Sequence, residues 1–302
     1  MNKERIQRLK NTLLALPIYV RLIVFLLVPF LIVLVISLSK YSLSAPPFEL
    51  FIHKNITTSS FEFSSPTLEN FYILITDPLY LRALVSSIKL ATISTIICLL
   101  IGYPLAVCIA DAKNSTKNLL LILLLIPFWT SLVLRVYAWK TILGDYGLMN
   151  KLLLEFGFIS EPLSLLDSTP AVIAGIVYCY LPFMVLPLFL SIDKIDKMII
   201  EASRDLGCSS FASFFKIIVP LSLPGILAGS ILVFIPVIGE YVIPDLLGGA
   251  RVLTVGKLIW NEFFFNKDWP VASAITVCMT ILFVIPVLII QKVLIKEEIE
   301  DE

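Results

Sequence analysis

Glu240 and Asp245 stand five residues apart near the end of an apolar stretch, 223–246, that carries no other charge. An acid inside a bilayer costs about 2.5–3.5 kcal/mol on insertion scales and faces a cavity or a partner. Glu240 is therefore a candidate for a cation path, and Asp245, nearer the end of the stretch, for its vestibule. A structural pair between Glu240 and an Arg or Lys, or a place at a helix end, are the competing readings. A cation path also uses ring faces and carbonyls, each weak enough to release what it holds. Tyr241, Trp129, Tyr137 and Tyr180 are the candidate rings, with plain packing as the alternative for each. Other chemistries have little to build on. His53 is the lone histidine, and Cys98, Cys108, Cys179, Cys208 and Cys278 are scattered without CxxC spacing, which points to apolar fillers and no metal or redox site. Gly256-Lys257 is followed by Leu258, and no Gly-x4-Gly-Lys-Ser/Thr loop is present, so the chain lacks the cradle for hydrolysing ATP itself. Asn55-Ile56-Thr57 matches a glycosylation sequon, read as idle.

Six apolar stretches must position these residues: 17–39, 83–110, 118–139, 169–190, 223–246 and 271–295. Each approaches or exceeds the roughly 20 helical residues that cross a bilayer core of about 30 Å. The composition agrees. Hydrophobic types make up 58% of the 302 residues and charged types 15%, against about 45–50% and 25% in soluble domains, and the mean hydropathy is +0.96. Lys+Arg and Asp+Glu number 23 each, which excludes a basic nucleic-acid binder and an acidic disordered chain. Eighteen prolines, among them Pro29, Pro104, Pro127, Pro182, Pro187, Pro236 and Pro286 in the spans, would break soluble helices but are tolerated in a membrane bundle. The first stretch follows Lys3, Arg5, Arg8 and Lys10, yet exceeds the 7–15 residues of a signal core, so it reads as an uncleaved anchor.

Loop charges orient the chain. With the N-terminus inside, the short inner segments hold Lys3, Arg5, Arg8, Lys10, Lys113, Lys117, Lys194, Lys197, Arg204, Lys216, Lys292 and Lys296. The longer outer ones hold Lys40, Lys54, Arg82, Lys140, Lys151, Arg251, Lys257 and Lys267. Both termini are thus expected in the cytoplasm. The outer loop 40–82 is either a plain connector or a rest for an external partner. Segment 140–168 is expected to form short surface helices. The inner loop 191–222 reads as a helix–turn–helix, with runs around 199–206 and 211–218. Gly207 is expected as a left-handed cap between them, and Pro220 and Pro224 as the end of the second run. Phe211, Phe214 and Phe215 either meet a soluble partner, dock back on the bundle or lie in the lipid interface. Gly225 and Gly229, four apart, are expected to admit a neighbouring helix. Arg135 could pair with an acid at the outer end. Glu297, Glu298, Glu300, Asp301 and Glu302 form a solvated tail.

The inner loop carries a resemblance. Glu201-Ala202-Ser203, three residues, Gly207, nine residues, Ile217, one residue, Val219-Pro220 resembles the EAA-xxx-G-x9-I-x-LP signature of permease subunits of ABC importers, with Ser203 in place of the second Ala and Val219 in place of Leu. Further stretches are similar to polyamine (spermidine/putrescine) permeases: Pro127-Phe128-Trp129-Thr130-Ser131 with Arg135-Val136-Tyr137-Ala138-Trp139, Tyr180-Leu181-Pro182-Phe183-Met184, Gly239-Glu240-Tyr241-Val242-Ile243-Pro244-Asp245, and Asp268-Trp269-Pro270-Val271-Ala272. Together they cover most of the chain from about residue 67 onward.

The resemblance implies an all-α integral membrane protein of the type I ABC importer (MetI-like) permease fold, with six transmembrane helices in a bacterial inner membrane. Residues 1–82 would hold the tail, first span and outer loop; 83–295 the transmembrane domain with the coupling loop 191–222; 296–302 the acidic tail. It implies a transport subunit and no enzyme, with no cofactor on this chain and with ATP and Mg on partner ATPases. The implied partners are a second permease in pseudo-two-fold symmetry, two cytoplasmic ATPase subunits, a periplasmic polyamine-binding protein and membrane lipid, with no nucleic acid. Glu201, Ala202, Ser203, Gly207, Phe211, Ile217 and Pro220 would couple the pore to the ATPase, with a helix N-terminal carboxylate stabilised by the dipole as the alternative for Glu201. Another small solute, or an ion-coupled carrier whose elbow would then lack a purpose, are the alternatives.

Overall fold

The computed structural model describes the backbone of residues 2–43, 45–49, 52–54, 61–63 and 65–300, and the side chains of 16–17, 19–43, 45–49 and 65–284. The sequon at Asn55 lies outside the described residues, as do the side chains of His53 and of the acidic tail. The chain divides into two compact units, residues 1–80 with 259–302, and residues 81–258.

Helices dominate. In chain order the first unit holds α1 (Asn2–Ser37), two short antiparallel hairpins, β1 (Lys40–Tyr41) with β2 (Phe48–Glu49) and β3 (Ile52–Lys54) with β4 (Phe61–Phe63), and then α2 (Glu69–Thr76). The long α3 (Pro78–Asp111) begins there and continues into the second unit. The second unit continues with α4 (Asn114–Leu125), α5 (Leu132–Leu143), α6 (Leu148–Glu155), α7 (Thr169–Ile192), α8 (Lys197–Asp205), α9 (Ser210–Ser213), α10 (Val219–Leu221), α11 (Leu223–Ile238), α12 (Val242–Gly248) and the start of α13 (Val255–Trp260), whose last two residues fall in the first unit. Then α14 (Trp269–Glu300) closes the first unit, packed on α1 and α2.

Among the described residues, three helices are long and apolar enough to cross a membrane: Tyr19–Ser37 within α1, and α3 and α7 in full. Two bent pairs pass the same test together, and Trp269–Val284 is a further apolar helix. Large apolar side chains lie bare along α1, with Phe25 and Leu26 each 73% exposed. Such a belt is what hydrocarbon, and not water, accommodates.

Two sequence expectations are corrected and a third is refined. The stretch 118–139 is not one straight helix: its halves, Asn114–Trp129 and Leu132–Glu155, bend by 90°. Pro127 opens a tight 3-10 turn at Ile126–Trp129, and the extended Thr130 bonds back to the Pro127 carbonyl through its amide and, at 2.7 Å, its hydroxyl. A proline followed by an extended residue ends a helix; Pro104, Pro182, Pro187 and Pro236 lack that sequel and stay inside theirs. The stretch 223–246 stops at Ile238, where Gly239, Glu240 and Tyr241 separate α11 from α12. The second run does stop between Pro220 and Pro224 as expected, but Pro220 itself lies inside the helix. A wide π turn, Phe214–Ile218, lets the Val219 amide bond to the Phe214 carbonyl, and helix continues through Pro220 to Leu221. Such a turn absorbs a missing donor by shifting the ladder by one residue. The bend of 66° comes at Ser222.

The core of the second unit lies where α7 packs along α11 and α12 packs on α7 and α5. Val136, Val172, Met184, Leu188, Val233 and Leu247 are fully buried there. The Gly225 and Gly229 expectation holds. A Cβ at Gly229 would come 2.8 Å from Met184 Sδ and 3.0 Å from its carbonyl oxygen, and one at Gly225 would come 2.7 Å from the Pro187 carbonyl. We expect Gly229→Val to push α11 off α7 and to destabilise the unit by about 1–3 kcal/mol, read as a lowered midpoint in thermal unfolding of the detergent-solubilised chain. An unchanged midpoint would mean the contact is slack.

Segment 140–168 contains the expected short surface helix, α6. Asn150, 1% exposed, ties it down: its amide donates to the Leu163 carbonyl at 2.9 Å and its oxygen accepts the Leu163 amide at 3.0 Å.

Candidate functional site

The elbow is built from α8 to α10. Asp196 caps α8, its carboxylate accepting the Met198 amide at 2.9 Å. The other end closes as a Schellman motif: Cys208 N–H reaches the Ser203 carbonyl at 3.0 Å, Gly207 N–H reaches the Arg204 carbonyl at 2.9 Å, and Gly207 has φ +85°. Only glycine adopts that conformation without strain. Ser209 then caps α9 by accepting the Ala212 amide at 3.2 Å.

Ser203, the departure from the Ala of the signature, has a task of its own. Its hydroxyl donates to the Ile200 carbonyl at 2.7 Å and meets the Ser213 hydroxyl at 2.7 Å, with both serines buried. The two arms of the elbow are thus clasped by a dry hydrogen bond. Ser203→Ala removes it and leaves Ser213 without that partner, which should cost about 1–2 kcal/mol of local stability. Faster amide exchange confined to about residues 197–213 checks this; exchange unchanged from wild type would mean that packing alone holds the turn.

At its base the elbow is anchored to the bundle. Tyr103 of α3 bonds to Ser222 at 2.6 Å between hydroxyls and meets Phe214 edge-on at 5.2 Å, while Lys117 pairs with Asp193. The three phenylalanines therefore do not act alike: one docks back, and two stay open to a partner or to the lipid interface. Phe214 docks inward, whereas Phe211 and Phe215 point outward, 75% and 52% exposed, in ring contact at 4.7 Å. Met198 and Leu206 of the same elbow are exposed too. Glu201 and Ala202 are exposed, Ile217 is half-buried and Pro220 is exposed. Glu201 makes no ion pair or side-chain hydrogen bond among the described residues. It sits past the first turn of α8, beyond the reach of a helix-dipole role.

The second cluster lies where α11 gives way to α12. Glu240 is 8% exposed. One carboxylate oxygen accepts the Val242 amide at 2.9 Å and the Ile243 amide at 3.4 Å; the other accepts the Tyr180 hydroxyl at 2.6 Å. The acid thus holds the first amides of α12 and fastens them to α7. Its pairing with an Arg or Lys is not found among the described residues. Asp245 pairs with Lys257 at 3.0 Å, and Lys257 also donates to the Gly249 carbonyl at 2.7 Å. Tyr241 interacts with Asp245. Trp129 and Tyr137 are exposed on and beyond the 90° bend, and make no such contacts among the described residues. Of the six candidate path residues, the structure joins Glu240 with Tyr180 and Asp245 with Tyr241. Arg135 is corrected too: it has no ion pair among the described residues and lies over the Phe128 ring at 5.0 Å, brought there by the turn at Pro127.

Glu262, which the sequence does not single out, is buried in the first unit. It accepts from the Tyr80 hydroxyl at 3.0 Å and from the Asn266 amide at 2.8 Å. Its place between Trp260 and Phe263 was the available signal. Nearby Asp268 caps α14 through the Val271 amide at 3.0 Å. Burial pushes its carboxyl above the usual range, and the Glu262 charge adds to this against the lowering effect of the Val271 bond.

A multispan helical chain with a rigid, apolar-tipped elbow has the build of a transport-system permease. The chain belongs to the family of binding-protein-dependent transport system inner membrane components, whose description matches residues 91–298. It is 41% identical over 261 residues to the spermidine/putrescine transport system permease protein PotB of Haemophilus influenzae, covering 86% of each chain. It is 44% identical over 216 residues to PotB of Escherichia coli, covering 72% of this chain and 78% of that one. The fold is similar to that of a solved bacterial ABC transporter that imports the acidic polysaccharide alginate, with a TM-score of 0.69 at 15% identity, covering 96% of this chain and 98% of that one.

Proposed function

We propose that this chain is the membrane-spanning permease subunit of an ATP-driven importer that carries polyamines, putrescine or spermidine, across the inner membrane by alternating access. The identity to PotB proteins over most of the chain is the observation that carries the substrate class. The EAA elbow, with its unpartnered glutamate and bare rings, supports the ATP-driven part. In this reading six spans place both termini in the cytoplasm, and residues 83–295 are the transmembrane domain. A second permease completes the pore, two ATPase subunits with ATP and Mg dock on the elbows, and a periplasmic binding protein delivers the cargo. No cofactor sits on this chain.

The mechanism needs a stiff link. ATP shifts the pore only by as much as its binding distinguishes two states of the assembly, so the elbow has to convert ATPase closure into helix movement without yielding. The Schellman turn, the Ser203–Ser213 clasp and the Tyr103–Ser222 anchor supply that stiffness. Movement passes at Ser222 into α11, which the glycines hold close to α7. It arrives at the far end of α11, where Glu240 fastens α12 to Tyr180. The cargo is then met by groups with open surface: Asp245 with Tyr241, and the rings of Trp129 and Tyr137. Glu240 and Tyr180 commit their polar atoms to each other and hold the joint.

Glu201→Ala should insert and assemble normally and lower transport-coupled ATP hydrolysis by about tenfold or more, the scale of a lost charge-assisted contact. Coupled hydrolysis at the wild-type level would remove Glu201 from the interface. The function itself is tested by reconstituting the four kinds of subunit in liposomes. Uptake of labelled putrescine or spermidine that requires ATP supports it; uptake by this chain alone, driven by an ion gradient, would overturn it.

A further inference from the structure

A cavity of about 570 Å³ opens along one face of α3 in the second unit. Arg82, Val85, Lys89 and Ile93 line it from α3, and Arg251 joins them from the segment after α12. The α3 residues follow a helical stripe, so Arg82 and Lys89 lie about 10 Å apart along the axis, with Ile93 deeper in the span. Three cations thus gather toward the Pro78 end and give way to an apolar wall. No acid lines the cavity. Among the described residues, none of the three cations has an ion-pair partner.

Lys89, exposed within the span, is costly unless something negative meets it or its long stem carries it to the interface, and Arg82 and Arg251 add their charge at the end of that span. The cargo proposed above is itself a cation and is repelled from such a pocket, so the cavity is separate from the cargo path. What fits is an amphiphile with an anionic head among the cations and a hydrocarbon tail along Val85 and Ile93. We propose that this cavity binds an anionic phospholipid of the leaflet at the Pro78 end of α3. Basic pockets between membrane helices recognise lipid headgroups by this complementarity.

The test uses the full-length chain, purified with its bound partners and placed in nanodiscs of phosphatidylglycerol and phosphatidylcholine in equal amounts. Native mass spectrometry reads which lipid is retained. Wild type should keep phosphatidylglycerol preferentially, and each of Arg82→Gln, Lys89→Gln and Arg251→Gln should lower the preference by about fivefold. Ratios unchanged in all three variants would overturn the site. A photo-crosslinking residue in place of Val85, in the otherwise wild-type chain, gives a reading independent of variant folding. A lipid adduct supports the proposal; an adduct with a neighbouring protein chain, or no lipid adduct, overturns it.

Discussion

Phe211→Asp should insert and fold as wild type does, yet lose ATP-driven uptake by about 30-fold or more. The side chain is 75% exposed at the tip of the elbow, so a carboxylate there meets water in the isolated chain and costs its own fold little. Docked on a partner, the same carboxylate would be buried in an apolar pocket without a counter-charge. A truncated aromatic anchor at an interface typically costs 2 kcal/mol or more, and a buried unpaired charge adds to that. Rings also continue inward from the tip, Phe211 to Phe215 at 4.7 Å, Phe215 to Phe214 at 4.9 Å, and Phe214 to Tyr103 at 5.2 Å. The contrast with Phe214→Asp is therefore informative: that change strikes the anchor and should lower stability as well. The checks are thermal stability, co-purification of the ATPase and coupled ATP hydrolysis, measured on both variants. Full coupled hydrolysis in Phe211→Asp would mean that the tip is not where the ATPase docks.

Glu240→Leu should be the most damaging single change in the bundle, destabilising it by about 3 kcal/mol or more. It leaves the Val242 amide, the Ile243 amide and the Tyr180 hydroxyl near an apolar side chain, and an unsatisfied buried donor costs about 1–3 kcal/mol. Glu240→Gln keeps one oxygen for the α12 amides and offers an amide to Tyr180, so a loss of about 1 kcal/mol is expected. Unfolding midpoints of the two variants and wild type, with Tyr180→Phe as the partner deletion, rank these costs. Equal midpoints for Leu and wild type would show that the joint is not held by the carboxylate. A large loss of uptake in Glu240→Gln at nearly full stability would return Glu240 to the cation path.

Much of this architecture is legible in the residues alone, for identifiable reasons. Long apolar runs between charged segments require membrane helices, whatever the tertiary contacts. Gly207 is readable because a left-handed cap is a local demand, met by one residue type. Gly225 and Gly229 announce a close helix contact in the same local way, although Met184 as the neighbour they admit does not show. Prolines are harder. Pro127 breaks its span and Pro182 does not, and the difference lies in the extended Thr130 and its bonds back to Pro127. Pro220 looks like a helix end until the π turn before it is seen. Glu240 reads as an acid in an apolar run, with nothing local to name Tyr180, 60 residues away. Ser203 reads as a small departure from a motif, since its clasp depends on Ser213 being folded back against it. Side-chain bonds between distant segments are set by packing, which no spacing rule encodes.

Coupling between the elbow and polyamine import is most directly measured in proteoliposomes that hold this chain with its second permease, its ATPase and its binding protein. ATP supplied on the ATPase side should drive uptake of labelled putrescine or spermidine, and Phe211→Asp should lower that uptake by about 30-fold or more while the ATPase still hydrolyses at its basal rate. Uptake that proceeds without ATP, or at the wild-type rate with Phe211→Asp, would contradict the coupling role of the elbow.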